Sequence, residues 1–175
     1  MKPFRYYSDR ILANFIFRSI LFRSKCRIAR VLIAEEWQIE KYRHYLFRDR
    51  KDAAAKHAKG STFLIALSDG TFLGSVMLFE PQIRGDFCIL YSMSVRAPYK
   101  RMGIGEMLLD SFMAEAKRRG YNEVFLTTGT ENLIAQRFYS KHHFLHLKTE
   151  DLQREYRNEI AAYRDKVMLP FSRKI

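Results

Sequence analysis

The stretch Tyr99-Lys-Arg-Met-Gly-Ile-Gly105 is where this chain is best equipped to do chemistry. Two glycines spaced by one residue, Gly103 and Gly105, let the backbone turn tightly with no side chain in the way, so several N–H groups can converge on one anion. The residues after them have helical spacing, with Ile104, Met107, Leu108, Phe112 and Ala116 on one face and Gly120 where such a helix would stop. A helix leaves its first N–H groups unpaired at the positive end of its dipole, which suits a phosphate or pyrophosphate. Lys100 and Arg101 add charge beside them. A P-loop would need G-x-x-x-x-G-K-S/T, which is absent, and a dinucleotide fingerprint would need a third glycine where Leu108 stands.

A second patterned stretch runs from Glu131 to Phe144 (ENLIAQRFYSKHHF). Asn132 and Tyr139 are seven residues apart, about two helical turns, and so share one face of a helix. A carboxamide and a phenol so placed offer hydrogen bonds and a transferable proton. His142, His143 and His146 crowd the end of this stretch, but no Cys, Asp or Glu accompanies them at ligand spacing, so they read as helix-end residues and no metal is expected. Cys26 and Cys88 each lie in an apolar run without a C-x-x-C pair, which suggests buried thiols in a reducing compartment.

Both stretches need a scaffold, and the hydrophobic pattern supplies one. Arg27–Ala34 reads as a buried strand, Glu35–Phe47 as a helix and Asp52–Ala58 as a second helix or helical turn. Ser61–Leu67 and Phe72–Phe79 flank Asp69-Gly70, a strong hairpin signal. Asp86–Val95 reads as a central strand, Gly103–Arg119 as a long helix, Val124–Thr128 as a strand and Asn132–Lys141 as a helix. Phe144–Lys148 suits a strand, Leu152–Arg164 a helix and Lys166–Phe171 a final strand. The order predicts an α/β chain, a mixed sheet with helices on both faces.

With the glycine turn set between a strand and a helix, Lys100–Gly105 resembles motif A of the GNAT superfamily, Q/R-x-x-G-x-G/A, with Val95 and Tyr99 in the family's register. The stretch from Asn132 to Phe144 resembles that family's motif B, N-x-x-A-x-x-F/L-Y-x-x-x-G-F, through Asn132, Ala135, Phe138, Tyr139 and Phe144. The resemblance covers about residues 27–170 and is sharp within 93–144. It implies the GNAT fold, an acyl-CoA (acetyl-CoA foremost) as co-substrate, no metal, and transfer of the acyl group to an amine. By the same resemblance, Met93, Ser94 and Val95 would present backbone groups to the pantetheine arm and the acyl carbonyl. Lys100, Arg101, Met102, Gly103, Ile104, Gly105 and Glu106 would wrap the pyrophosphate. Asn132 would bind the pantetheine chain, Phe138 would join the cofactor site, and Tyr139 would protonate the leaving thiolate as general acid.

The chain departs from the pattern in places. Lys100 keeps the charge of the usual Arg but not its planar donor fork. His143 stands where the family has glycine. Thr127 occupies the position of a frequent catalytic carboxylate, and Leu90, Tyr91 and Ser92 stand where other members carry a Glu, leaving Glu131 and Glu80 as substitutes for the general base.

At 175 residues the chain fits one domain at 27–175, preceded by a basic amphipathic extension at 1–26. Of its 31 basic residues 15 fall within positions 1–60, against 6 of its 19 acidic ones. Such a surface attracts anionic partners such as RNA or lipid headgroups. Residues 4–22 are too short and too charged to span a bilayer and lack a secretory cleavage signature, so the cytoplasm is expected. Packing on the domain, membrane-surface contact and an organelle presequence all fit that segment. Three functions remain open: an N-acyltransferase acting on a small molecule, protein or aminoacyl-tRNA; a non-catalytic acyl-CoA sensor or scaffold; and a basic protein associated with RNA or ribosomes. Residues 35–59, 80–85 and 151–165 are expected to line an acceptor pocket.

Overall fold

The turn at Asp69-Gly70 sets the first hairpin: both residues have positive φ (48° and 71°), the conformation a two-residue turn needs to match the twist of its strands. It joins β2 (Thr62–Ser68) to β3 (Thr71–Phe79). The structure is a computed structural model and describes residues 29–47, 61–81, 86–147 and 168–175. The expected helices at Asp52–Ala58 and Leu152–Arg164, the 1–26 extension and Cys26 lie outside the described residues.

Seven strands form one sheet in the order β1-β2-β3-β4-β5-β7-β6, with β1 at Arg30–Ile33, β4 at Phe87–Val95, β5 at Glu123–Gly129, β6 at Leu145–His146 and β7 at Met168–Lys174. Every neighbouring pair is antiparallel except β4 with β5. A parallel pair needs a crossover, supplied by α3 (Ile104–Arg118). Leu108, Leu109 and Phe112 of α3 are fully buried against Leu78, Leu90, Val124 and Leu126 of the sheet, each contributing about 1.5–3 kcal/mol. On the same face lies α4 (Leu133–Lys141). On the opposite face, α1 (Glu36–Lys41) and α2 (Arg43–Leu46) cover Phe63, Ile65, Leu67, Phe72 and Met77. Helices thus flank both faces, as expected.

Three elements differ from the sequence pattern. The helix expected over Glu35–Phe47 breaks at Tyr42 (φ −104°, ψ 12°), which turns its ring into the core and donates its hydroxyl to the Gly70 carbonyl at 2.8 Å. That tertiary bond outweighs helical continuity. β6 is only two residues long, and β7 runs three residues past Phe171, to Lys174, because its partner β5 continues alongside it.

Two irregularities shape the middle of the sheet. Met77 pairs with Ser92 but Leu78 with Leu90, so Tyr91 is an extra residue in β4, a β-bulge that bends the strand. The parallel pairing of β4 and β5 ends at Ile89–Phe125, although β4 runs on to Val95 and β5 to Gly129. The strands therefore part next to the bulge. At the same end, Gly74 lets β3 approach β4 closely: a Cβ built there would stand 2.5 Å from the Ser94 carbonyl oxygen.

Candidate active site

Parallel strands put their carboxyl ends on one side of the sheet, and ligands of α/β folds bind there. Here that side holds the end of β4, the gap between β4 and β5, and the amino ends of both α3 and α4. Residues Ala97–Tyr99 form one 3-10 turn after β4. The chain then swings through Arg101 (φ 63°) and Gly103 (φ 82°), both left-handed, into α3. The first intrahelical bond runs from Met107 N–H to the Gly103 carbonyl, and the glycine N-cap carries no side chain to occupy the amides before it. Lys100 and Arg101 are exposed beside this cradle. Ile104 is 1% exposed and anchors the helix start in the core, so only its backbone faces the cradle.

Glu106 introduces a negative charge into the same turn. Lys141 of α4 neutralises it at 2.7 Å, and this hydrogen bond holds the Glu106 carboxyl below the usual carboxylate range. Phe138 of α4 packs against Gly105, where a Cβ would lie 3.6 Å from its ring and 3.9 Å from Val95. The centre of α4 therefore crosses the first turn of α3.

The motif B residues gather on α4. Asn132 is its N-cap, accepting from the Ala135 N–H at 3.1 Å. Tyr139 is 7% exposed, its ring set between Phe138 (5.4 Å) and Phe144 (5.6 Å). His143 has a φ of 64°, adopting the left-handed conformation that a glycine would take more easily. His142 lies on the Phe138 ring, its Nε2 buried without a hydrogen bond and 3.8 Å from Glu106. Among the described residues no cluster of His, Cys, Asp and Glu could hold a metal.

The bulge decides which β4 side chains face which helices. Leu90, Met93 and Val95 join the α3 side of the core, whereas Tyr91 packs with the α1–α2 side. Ser92 pairs with Met77, a residue of that second side, and Ser94 follows by alternation. Thr127, next to Leu126 of the α3 side, also faces α1 and α2.

Glu80, one substitute for a general base, is not at this site. It directly follows β3, beside the start of β4 at the opposite end of the sheet, where Arg119 Nη1 donates to it. Arg119 also donates to Thr62 Oγ1 (2.9 Å) and to the buried Glu115 (2.6 Å), which Arg118 grips with two bonds of 2.7 Å. These contacts, Arg118 foremost, depress the Glu115 carboxyl to about 2. Burial pushes the Tyr121 phenol, beside Glu80, and the Cys88 thiol each up to about 12, so Cys88 stays an inert thiol. Glu131 is exposed in the turn before α4. The i, i+3 and i, i+4 spacing of Glu115, Arg118 and Arg119 was a legible signal for this network.

The sequence profile of the Acetyltransferase (GNAT) family matches residues 24–144. The chain belongs to this family. Human N-acetyltransferase 8 is 32% identical over 84 residues, which cover 46% of this GNAT chain and 37% of that protein, so the match spans little more than a third of the relative. A GNAT-family acetyltransferase from Staphylococcus aureus Mu50 superposes with a TM-score of 0.66 at 19% identity, over 83% of this chain and 98% of its own. A GNAT-family acetyltransferase from Elizabethkingia anophelis, solved with acetyl-CoA bound, gives 0.66 at 13% identity, over 85% and 99%. At such identities the superpositions speak for the GNAT fold. Among the described residues, no helix is long and apolar enough to cross a membrane.

Proposed function

We propose that this GNAT chain is an acyl-CoA N-acyltransferase that uses acetyl-CoA and acylates an amine by direct attack on the thioester. The observation that carries this reading is the gap between β4 and β5, which opens beyond Ile89–Phe125 at the end of the sheet where the α3 cradle begins. The cradle suits a diphosphate, since Gly103 leaves the first amides of α3 uncovered and Lys100 and Arg101 flank them. Bound there, acetyl-CoA supplies an activated carbonyl.

Met93–Val95 pair with β3 on one edge, and on the edge that faces β5 they have no strand partner among the described residues, which leaves that edge of the backbone available to hold the pantetheine arm and polarise that carbonyl. Asn132 keeps its amide NH2 for the arm while its oxygen caps α4. The amine approaches from the α1–α2 side, where Tyr91, Ser92, Ser94 and Thr127 point. A carbon–nitrogen bond forms as the carbon–sulfur bond breaks, and the Tyr139 phenol gives its proton to the departing thiolate. The nitrogen loses its proton to water, since Thr127 brings no carboxylate.

Incubating the protein with acetyl-CoA and a panel of small amines, peptides and aminoacyl-tRNA, while following free thiol, tests this. Release above hydrolysis is expected with at least one amine, and Tyr139→Phe is expected to lower turnover about a hundredfold without weakening CoA binding. Unchanged turnover in that variant would overturn the role of Tyr139. CoA binding with no thiol release from any amine would leave an acyl-CoA sensor, the reading that Thr127 favours. Positions 1–60 hold much of the excess positive charge, for which we propose contact with an anionic partner; loss of RNA affinity at low salt would remove aminoacyl-tRNA from the acceptors.

A further inference from the structure

Arg96 is the last residue before the cradle loop and is fixed on every side. Its N–H donates to the Leu73 carbonyl at 2.8 Å, its carbonyl accepts from the Tyr99 N–H at 2.9 Å, and its Nη1 donates to the Phe72 carbonyl at 3.1 Å. The guanidinium carbon lies over two rings, 4.7 Å from the centre of that of Tyr45 on α2 and 5.5 Å from that of Tyr99 in the loop. Flat, weakly hydrated guanidinium groups suit such contacts with aromatic faces. Tyr45 in turn stacks on Phe72 (5.0 Å, 3° between planes), and Phe72 meets Tyr42 at 5.3 Å. Lys41 of α1 sits 5.3 Å from the Tyr42 ring and 6.0 Å from that of Trp37. Packed side chains therefore run without a break from the cradle loop to α1.

We propose that Arg96 is a positioning residue that couples the cradle to α1 and α2, so that filling the cradle is felt on the face from which the amine arrives. This rests on reading the cradle as a CoA site. Nothing in the coupling needs Arg96 to touch either substrate. Its guanidinium makes the loop and α2 move together.

Trp37 is the sole tryptophan of the chain and is 59% exposed, which makes its emission a reporter for α1. CoA is titrated into the full chain, by calorimetry for binding and by Trp37 emission for the response. In the wild type the two curves are expected to share one midpoint. Arg96→Met is expected to bind CoA about fivefold more weakly and to lose the emission change at saturation, while Arg96→Lys restores part of both. Tyr45→Leu, which leaves the Arg96 bonds to the loop and β3 intact, is expected to keep near-normal affinity and lose the response. A merely structural role would lower the melting temperature and leave the response in place. An emission change that survives at saturating CoA in Tyr45→Leu or Arg96→Met overturns the coupling, as does a silent wild type that binds CoA by calorimetry. No calorimetric binding in the wild type would instead refute the CoA site itself, and the coupling with it.

Discussion

At its carboxyl end α3 is tied down by ions: Glu115 takes three guanidinium bonds, and Arg119 carries the network on to Glu80, just past β3, and Thr62 of β2. At its amino end the same helix has a glycine cap without a side chain, exposed cations, and a carboxylate silenced by a lysine from another helix. A helix that must present bare amides to a ligand forgoes the usual stabilisation of its first turn. The saturated far end, with the buried stripe of Leu108, Leu109 and Phe112, holds the helix so that the near end can stay open. On the proposed reading of the cradle, stability and binding are thereby assigned to opposite ends of one element.

Separate assignment makes separable lesions. Glu115→Gln is expected to cost about 3 kcal/mol of stability by removing the buried carboxylate on which three guanidinium bonds converge, read by denaturant unfolding, with CoA affinity unchanged by calorimetry. Acid should act on the same end. Because the folded Glu115 carboxyl is depressed to about 2 from an ordinary value near 4.5, its contribution is complete above about 4.5 and is lost as the pH falls through about 2. Stability measured across that window should fall in the wild type and lose that component of its slope in Glu115→Gln.

At the open end the readouts exchange places. Gly103→Val forces a β-branched residue into a left-handed conformation, and is expected to weaken CoA binding by about 2 kcal/mol, roughly thirtyfold, with a loss of stability of only about 1 kcal/mol. If instead it unfolds the protein without a specific effect on binding, the division between the ends fails. Smallest of all, Lys141→Met frees the Glu106 charge beside the bound phosphates. CoA affinity should fall about twofold to threefold at low salt and recover as salt screens the repulsion, since exposed pairs contribute well under 1 kcal/mol.

Much of this architecture can be read from the residues alone. Asp69-Gly70 demanded a hairpin and formed one, Gly103 and Gly120 bracket α3, and Asn132 caps α4, because turn and cap chemistry is local. The motifs at Lys100–Gly105 and Asn132–Phe144 fall on the turn that opens α3 and on α4 for the same reason. What escaped is tertiary. Tyr42 breaks a helix to reach Gly70, twenty-eight residues away in sequence. Arg96 reads as one more surface cation until the fold brings it over the Tyr45 and Tyr99 rings, and no pattern in FCILYSMSV announces an extra residue at Tyr91.

That extra residue has a peculiar economy. On either side of it the ladder is intact, with Leu90 opposite Leu78 and Ser92 opposite Met77. Excising Tyr91 would therefore disturb neither the alignment of the strands nor the direction in which Met93 and Val95 point, but would straighten β4 and free it to zip up against β5. On that expectation the opening between the two strands hangs on an insertion one amino acid long.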